Sequence, residues 1–314
     1  MDLAEKVLQG DRRAVARLIT EVENSGKLAG DILKALHGRT GHAHIIGVTG
    51  PPGAGKSTLI DRLAKSYRLL NKKIGIIAID PSSPFTGGAI LGDRIRMSDL
   101  NTDPGVYIRS MGTRGHLGGL SRATADVVKI LDAFGMDKII IETVGAGQSE
   151  VEIASMAHTT ILVEMPGLGD DIQTIKAGIM EIGDIFVVNK ADRQGADRTE
   201  LELRAMLELQ SEPGLWVPPI LRTVASSNEG ITSLRDSIEI HYSHLTSSGN
   251  LDKHNYIRTK QEFLSIMREE LIGLVIQSEL SESQLDGIIM SILKRESDPH
   301  TEVSRIIQRF SANR

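Results

Sequence analysis

Apolar positions in residues 1–36 recur at helical spacing: Leu3, Val7, Val15, Leu18 and Ile19, with charged side chains between them. Gly10-Asp11 interrupts the stripe and predicts two helices. From residue 42 the period changes. Residues 42–48 form a short apolar run ending in Thr49-Gly50, and 74–79 is a near-continuous apolar run. Such runs mark strands covered on both faces. Between them, Leu59, Leu63 and Leu69 mark a helix over 57–70. The same reading predicts strands at 106–110, 138–142, 160–164, 184–188 and 220–224. It places helices at 119–134, 150–157, 172–181, 197–210 and 230–245. Strands alternating with helices of this length predict an α/β fold, with a mainly parallel sheet flanked by helices and joined by right-handed crossovers.

Past residue 246 the pattern becomes helical throughout. Ser247-Ser248-Gly249-Asn250 reads as a linker. Phe263, Met267, Leu271 and Leu274 form one stripe, Leu285, Ile288, Ile289 and Ile292 another, and a last helix is expected near 301–312. These helices can pack on their own subunit or contribute to a homodimer interface.

Composition narrows the classes. One Trp, four Tyr and five Phe in 314 residues leave the core to Ile, Leu, Val, Ala and Met. The net charge of −5 argues against a general nucleic-acid binder, which usually carries a basic face. The absence of cysteine excludes disulfides, thiolate catalysis and cysteine-ligated zinc or iron–sulfur sites. No apolar stretch is long enough to span a bilayer, and Met1-Asp-Leu-Ala-Glu-Lys6 does not begin a secretory signal. A soluble, cytoplasmic protein without membrane insertion is expected.

Candidate chemistry begins at Gly50-Pro51-Pro52-Gly53-Ala54-Gly55-Lys56-Ser57, followed by Thr58. The segment fits the phosphate-binding consensus GxxxxGK[ST] and lies between a predicted strand and a predicted helix, the context the motif requires. The glycines let the backbone curl around phosphate oxygens, and the helix N-terminus adds unsatisfied N–H donors. Lys56 supplies positive charge to the β- and γ-phosphates, and the Ser57 hydroxyl is placed to ligate Mg2+.

Magnesium prefers oxygen ligands in octahedral geometry. Three acids are candidates to hold it: Glu142 at the end of a predicted strand, Asp80 after another, and Asp93 in a glycine-rich segment suited to a switch. Asp80 can instead position the attacking water or cap a turn. Asp93 can be an exposed loop charge. The Gly145 amide is placed to sense the γ-phosphate. Gln148 can polarise water or simply open the next helix.

Asn189-Lys190-Ala191-Asp192 follows the apolar run 184–188. The Asp192 carboxylate can accept from guanine N1–H and its exocyclic amino group, a donor pair that adenine lacks. Asn189 can contact the base or brace the phosphate loop, and the Lys190 stem can cover a base face. Ala225, after the last predicted strand, can present its amide near guanine O6. These motifs divide the chain into an N-terminal helical extension (1–40), a P-loop GTPase domain (41–246) and a C-terminal helical region (247–314).

Several segments together resemble the methylmalonyl-CoA mutase-associated GTPase family, also labelled ArgK-type or LAO transport-system ATPases. They are 50–57, 78–84, 92–97, 141–150 and 189–192, and the likeness extends over most of the chain. The resemblance implies a homodimeric, Mg2+-dependent P-loop GTPase that turns GTP into GDP and phosphate. It further implies a chaperone that loads and protects an adenosylcobalamin-dependent (B12-dependent) acyl-CoA mutase such as methylmalonyl-CoA mutase. It makes Ser57, Asp80, Asp93 and Glu142 the metal and switch residues, and 164–178 a further switch in which Asp170 and Lys176 signal to the mutase. Read alone, that segment is a solvated turn and helix face. Two alternatives remain at this point: a nickel-insertion-type maturation GTPase, and a small-molecule (arginine-type) kinase.

Overall fold

The computed structural model describes residues 2–24, 29–80, 99–112, 122–143, 148–167, 181–210 and 216–312. The chain divides into two compact units, Met1–Leu251 and Asp252–Arg314.

The first unit opens with α1 (Leu3–Leu8), α2 (Arg12–Glu23) and α3 (Ala29–Leu36). The break predicted at Gly10-Asp11 is present. Gly10 takes φ +86°, and the Asp11 carboxylate caps α2 by accepting from the Arg13 and Ala14 amides. Residues 29–36 are helical as expected, but as a third helix rather than as the continuation of the second. It buries Ala29, Ile32 and Leu36.

Strands and helices then alternate: β1 (His44–Thr49), α4 (Lys56–Arg68), β2 (Ile74–Asp80), β3 (Val106–Gly112), α5 (Arg122–Ala133), β4 (Lys138–Glu142), α6 (Gln148–Met156), β5 (Thr159–Glu164), β6 (Ile185–Asn189), α7 (Ala196–Gln210), β7 (Ile220–Thr223) and α8 (Ile231–Ser247). The helix expected at 172–181 lies outside the described residues except at its last position. The seven strands form one parallel sheet in the order β3-β2-β4-β1-β5-β6-β7. This is the α/β architecture of a P-loop NTPase.

The unbroken apolar runs follow from burial on both faces. Ile45, Ile77, Ile79, Ile139 and Ile141 pack in one core with α1–α3 and α5. Ile46, Val48, Ile74, Ile76, Ile140, Ile161 and Val163 pack in the other with α4 and α8. A smaller cluster joins Leu162, Phe186 and Val188 to Leu203 of α7. In a parallel sheet all strands end at the same edge, and in such folds ligands bind where neighbouring connections diverge. β1 is that place: the chain runs from it past β4 to β2, and later adds β5 on its other side.

The opposite edge of the sheet carries a buried polar chain. Lys138 Nζ donates to His44 Nδ1 (3.2 Å), His44 Nε2 to Thr159 Oγ1 (2.8 Å), Thr159 Oγ1 shares a hydrogen bond with His241 Nδ1 (2.9 Å), and His241 Nε2 faces Asp184 Oδ1 at 3.4 Å. With the Lys138 ammonium donating to Nδ1, His44 is the neutral Nε2–H tautomer. Lys138 also pairs with Glu239, which accepts from the Tyr67 hydroxyl (2.7 Å). Burial first, then Lys138 and the neighbouring His158 and His241, holds His44 well below the usual imidazole range.

The interval between α8 and the next helix is shorter than the linker expected at 247–250. Only Ser248 and Gly249 intervene, Gly249 at φ +71°, before α9 (Asn250–Glu279) begins. In the second unit α9 is followed by α10 (Glu282–Leu293) and α11 (Pro299–Ala312). Ser281 and Gln284 form a reciprocal capping box that starts α10. A groove of about 320 Å³ runs past Leu280, Gln284, Ile288, Glu302 and Arg309. No helix among the described residues is long and apolar enough to cross a membrane.

Candidate functional site

The turn at 50–55 leaves β1 and enters α4. Two of its glycines are dictated by close approach. Gly50 sits at φ +139°, and a Cβ there would lie 2.0 Å from the Val163 carbonyl oxygen of β5. Gly55, the N-cap of α4, sits at φ +90°, and its Cβ would lie 2.5 Å from Asn189 Nδ2. The loop is thus pressed against β5 on one side and the end of β6 on the other.

Lys56 is 6% exposed and its Nζ donates to the carbonyls of Gly50 (2.6 Å) and Pro51 (3.0 Å). The ammonium therefore lies inside the curl of the loop. Register Val48↔Glu142 brings the end of β4 beside the start of the loop. There Ser57 Oγ donates to Glu142 Oε1 at 2.7 Å, with Glu142 5% exposed. A hydroxyl and a carboxylate set side by side at a helix N-terminus are hard oxygen donors. With no cysteine in the chain, they fit Mg2+ completed by water and phosphate oxygens. Among the described residues no group of three or more His, Asp or Glu converges to hold a metal without such help.

Asp80 closes β2 at the same edge, two positions beyond the Ala78↔Glu142 pair. Gln148 is the first residue of α6. Asp93, Gly145, Asp170 and Lys176 lie outside the described residues.

The 189–192 loop is fastened to the phosphate loop. Asn189, 2% exposed, donates from Nδ2 to the Ala54 carbonyl (2.7 Å). Its Oδ1 accepts from Thr223 Oγ1 (3.0 Å) and the Ala225 amide (3.2 Å). Of the two roles open to Asn189, the geometry is that of a brace, and the Ala225 amide is held by it. Lys190, at φ +57°, reaches back to donate to the Gly53 carbonyl (2.6 Å), its stem lying over the loop. Asp192 follows on the exposed side of the same loop.

Sequence reasoning did not single out Thr49 and Thr143. Thr143 Oγ1 donates to Thr49 Oγ1 at 2.9 Å, and both residues are buried. The available signal was a hydroxyl residue just past the apolar run of two strands, too common to select by itself.

A glycine-rich turn holding a lysine, a Ser–Glu pair beside it and a strapped Asn-Lys-x-Asp loop together define the nucleotide-binding class of P-loop proteins. Within that class the family is specific. The description "Methylmalonyl Co-A mutase-associated GTPase MeaB" matches residues 15–279, and the chain belongs to this GTPase family. A putative GTPase of Pyrococcus horikoshii is 51% identical over 313 residues, covering 98% of both chains. The mouse protein described as methylmalonic aciduria type A homolog, mitochondrial, is 36% identical over 231 residues, covering 72% of this chain and 56% of that protein. A crystal structure described as LAO/AO transport system kinase superposes with a TM-score of 0.73 at 25% identity, covering 98% of this chain and 96% of the other.

Proposed function

We propose that this chain hydrolyses GTP to GDP and phosphate with Mg2+, and uses the nucleotide cycle to load and protect a B12-dependent acyl-CoA mutase. The observation that carries the nucleotide reading is Asn189. One side chain ties the phosphate loop at Ala54 to the Ala225 loop, so phosphate and base recognition share a single pocket. The family description, which names a methylmalonyl-CoA mutase, supports the partner.

In this reading the backbone of 50–55 and Lys56 bind the phosphates, and Asp192 selects guanine. Ser57 and Glu142 hold the metal, with Asp80 and Asp93 as further acids of its shell. Bound Mg2+ supplies charge neutralisation at the phosphate oxygens. Asp80 orients the water for in-line attack on the γ-phosphorus, with Gln148 as an additional polar group. The Gly145 amide senses the γ-phosphate, and Asp170 and Lys176 report the nucleotide state to the mutase. Most of the rate enhancement in phosphoryl transfer comes from such positioning and electrostatics.

The functional form is a homodimer, with 247–314 as the dimerising element. Neither α9 nor α10 has a buried residue, and Phe263 is 62% exposed with Met267, Leu271 and Leu274 on the same stripe. Exposed apolar surface on this scale marks an interface, and a second copy is the simplest cover. Nucleic acid and membrane are not partners in this scheme, and the cytoplasm is its setting.

The test is affinity capture from native extract with GDP and with a non-hydrolysable GTP analogue, alongside GTP turnover with and without the mutase. Nucleotide-dependent recovery of the mutase and faster turnover in its presence are expected. Equal turnover and no recovery refute the chaperone role. The structural relative described as a kinase favours a second reading, phosphoryl transfer to a small molecule such as arginine. Detection of phosphoarginine by mass spectrometry would establish it in place of the first.

A further inference from the structure

We propose that the Thr49–Thr143 hydroxyl pair positions the catalytic edge for GTP hydrolysis, fixing where the chain leaves β4 relative to the phosphate loop. The inference rests on the GTPase reading of the site and adds to it a pair of residues to which that reading gives no nucleotide or metal contact.

Alternation along a strand sends successive side chains to opposite faces. Glu142 turns toward α4, where it accepts from Ser57 Oγ. The next residue, Thr143, turns to the other face and meets Thr49, the last residue of β1. The Thr143 amide donates to the Val48 carbonyl at 3.2 Å, carrying the β1–β4 pairing one step beyond Val48↔Glu142. Thr143 is therefore held to β1 twice, once through its backbone and once through its hydroxyl. Thr49 immediately precedes Gly50, whose carbonyl accepts from Lys56.

The pair thus joins two points that hydrolysis requires in register. One is the entry to the loop that binds phosphate. The other is the exit of the strand that carries Glu142 and leads to Gly145. Both threonines are buried, with 0% and 1% of their surface exposed, so water cannot replace a lost partner. Binding of a diphosphate depends chiefly on the loop itself. Attack on the γ-phosphorus depends on the relation of loop to strand exit, and ångström-scale misplacement there lowers rate more than affinity.

The test compares wild type, Thr143→Val, Thr143→Ser, Thr49→Val and the double valine variant of the full chain. It measures kcat and KM for GTP, Kd for GDP, and thermal unfolding. Valine keeps the volume and removes the hydroxyl, while serine keeps the hydroxyl. Thr143→Val and Thr49→Val should each lower kcat about tenfold with Kd for GDP within about twofold of wild type, the scale set by one lost buried hydrogen bond. Thr143→Ser should stay within about twofold of wild type in kcat. The double variant should lose no more than either single, since all three lack the same bond. Wild-type kcat in Thr143→Val, a GDP affinity that falls in step with kcat, or additive losses in the double variant overturns the proposal. Should Thr143→Val fail to fold, Thr49→Val reads the same bond from the other side. Absence of GTP hydrolysis by wild type overturns the GTPase reading and this inference together; hydrolysis with undiminished Thr143→Val overturns the inference alone.

Discussion

Replacing Asn189 with alanine probes the joint between the two halves of the nucleotide site. The wild-type side chain makes three hydrogen bonds, to the Ala54 carbonyl, Thr223 Oγ1 and the Ala225 amide. Asn189 and Thr223 are 2% and 1% exposed, and Ala225 is also buried. Removing one partner of a buried hydrogen bond costs about 1–3 kcal/mol, partly recovered as neighbours relax. A loss of about 3 kcal/mol is therefore expected, shared between folding and nucleotide binding. If about half of it falls on the bound state, Kd for GDP rises about tenfold. Titration calorimetry with GDP and Mg2+, paired with urea unfolding, separates the two shares. Asn189→Asp should be at least as damaging, because a carboxylate oxygen would then face the Ala54 carbonyl. Affinity and stability of Asn189→Ala both indistinguishable from wild type would refute the view that this residue fastens base loop to phosphate loop.

Gly50→Ala should abolish nucleotide binding, since its Cβ would sit 2.0 Å from a backbone oxygen of β5, and backbone cannot yield as a flexible side chain can; retained GDP binding in a filter assay would contradict the geometry. Asp192→Asn should weaken GDP binding by about 100-fold, the scale of a mismatched buried polar contact, with xanthine nucleotides favoured in competition. Stability should decline as pH falls below 6.5. The His44 imidazole is held below its ordinary value of 6.5, so the unfolded chain takes up that proton first and gains relative to the fold. The slope should approach about 1.4 kcal/mol per pH unit until the folded value is reached, and His44→Gln should flatten it in urea titrations. Deleting 252–314 should convert a dimer to a monomer in light scattering; an unchanged mass would refute the assigned interface.

The sheet was legible because its inner strands, such as β1, β4, β5 and β6, are buried along their whole length, which forces apolar runs such as 138–142 into view. The helical state of 29–36 was legible too, but its separation from α2 as a third helix was not, since its three buried positions span barely two turns. The linker expected at 247–250 is shorter in the structure because a positive φ at Gly249 completes the turn and lets α9 start at Asn250. At the candidate site, the residue types of the phosphate loop and of 189–192 could be read directly. For Asn189 the sequence left a base contact and a brace of the phosphate loop both open, because its partners Ala54 and Ala225 lie 135 and 36 positions away. The Thr49–Thr143 bond spans 94 positions and leaves no trace in either local pattern.

The most direct test of one guanine-selective hydrolytic pocket is phosphate release from GTP and from ATP at equal concentration with Mg2+, for wild type and Lys56→Ala. Release from GTP by wild type alone, with ATP at background, is the expected result. Comparable release from ATP, or release from GTP undiminished in Lys56→Ala, would contradict it.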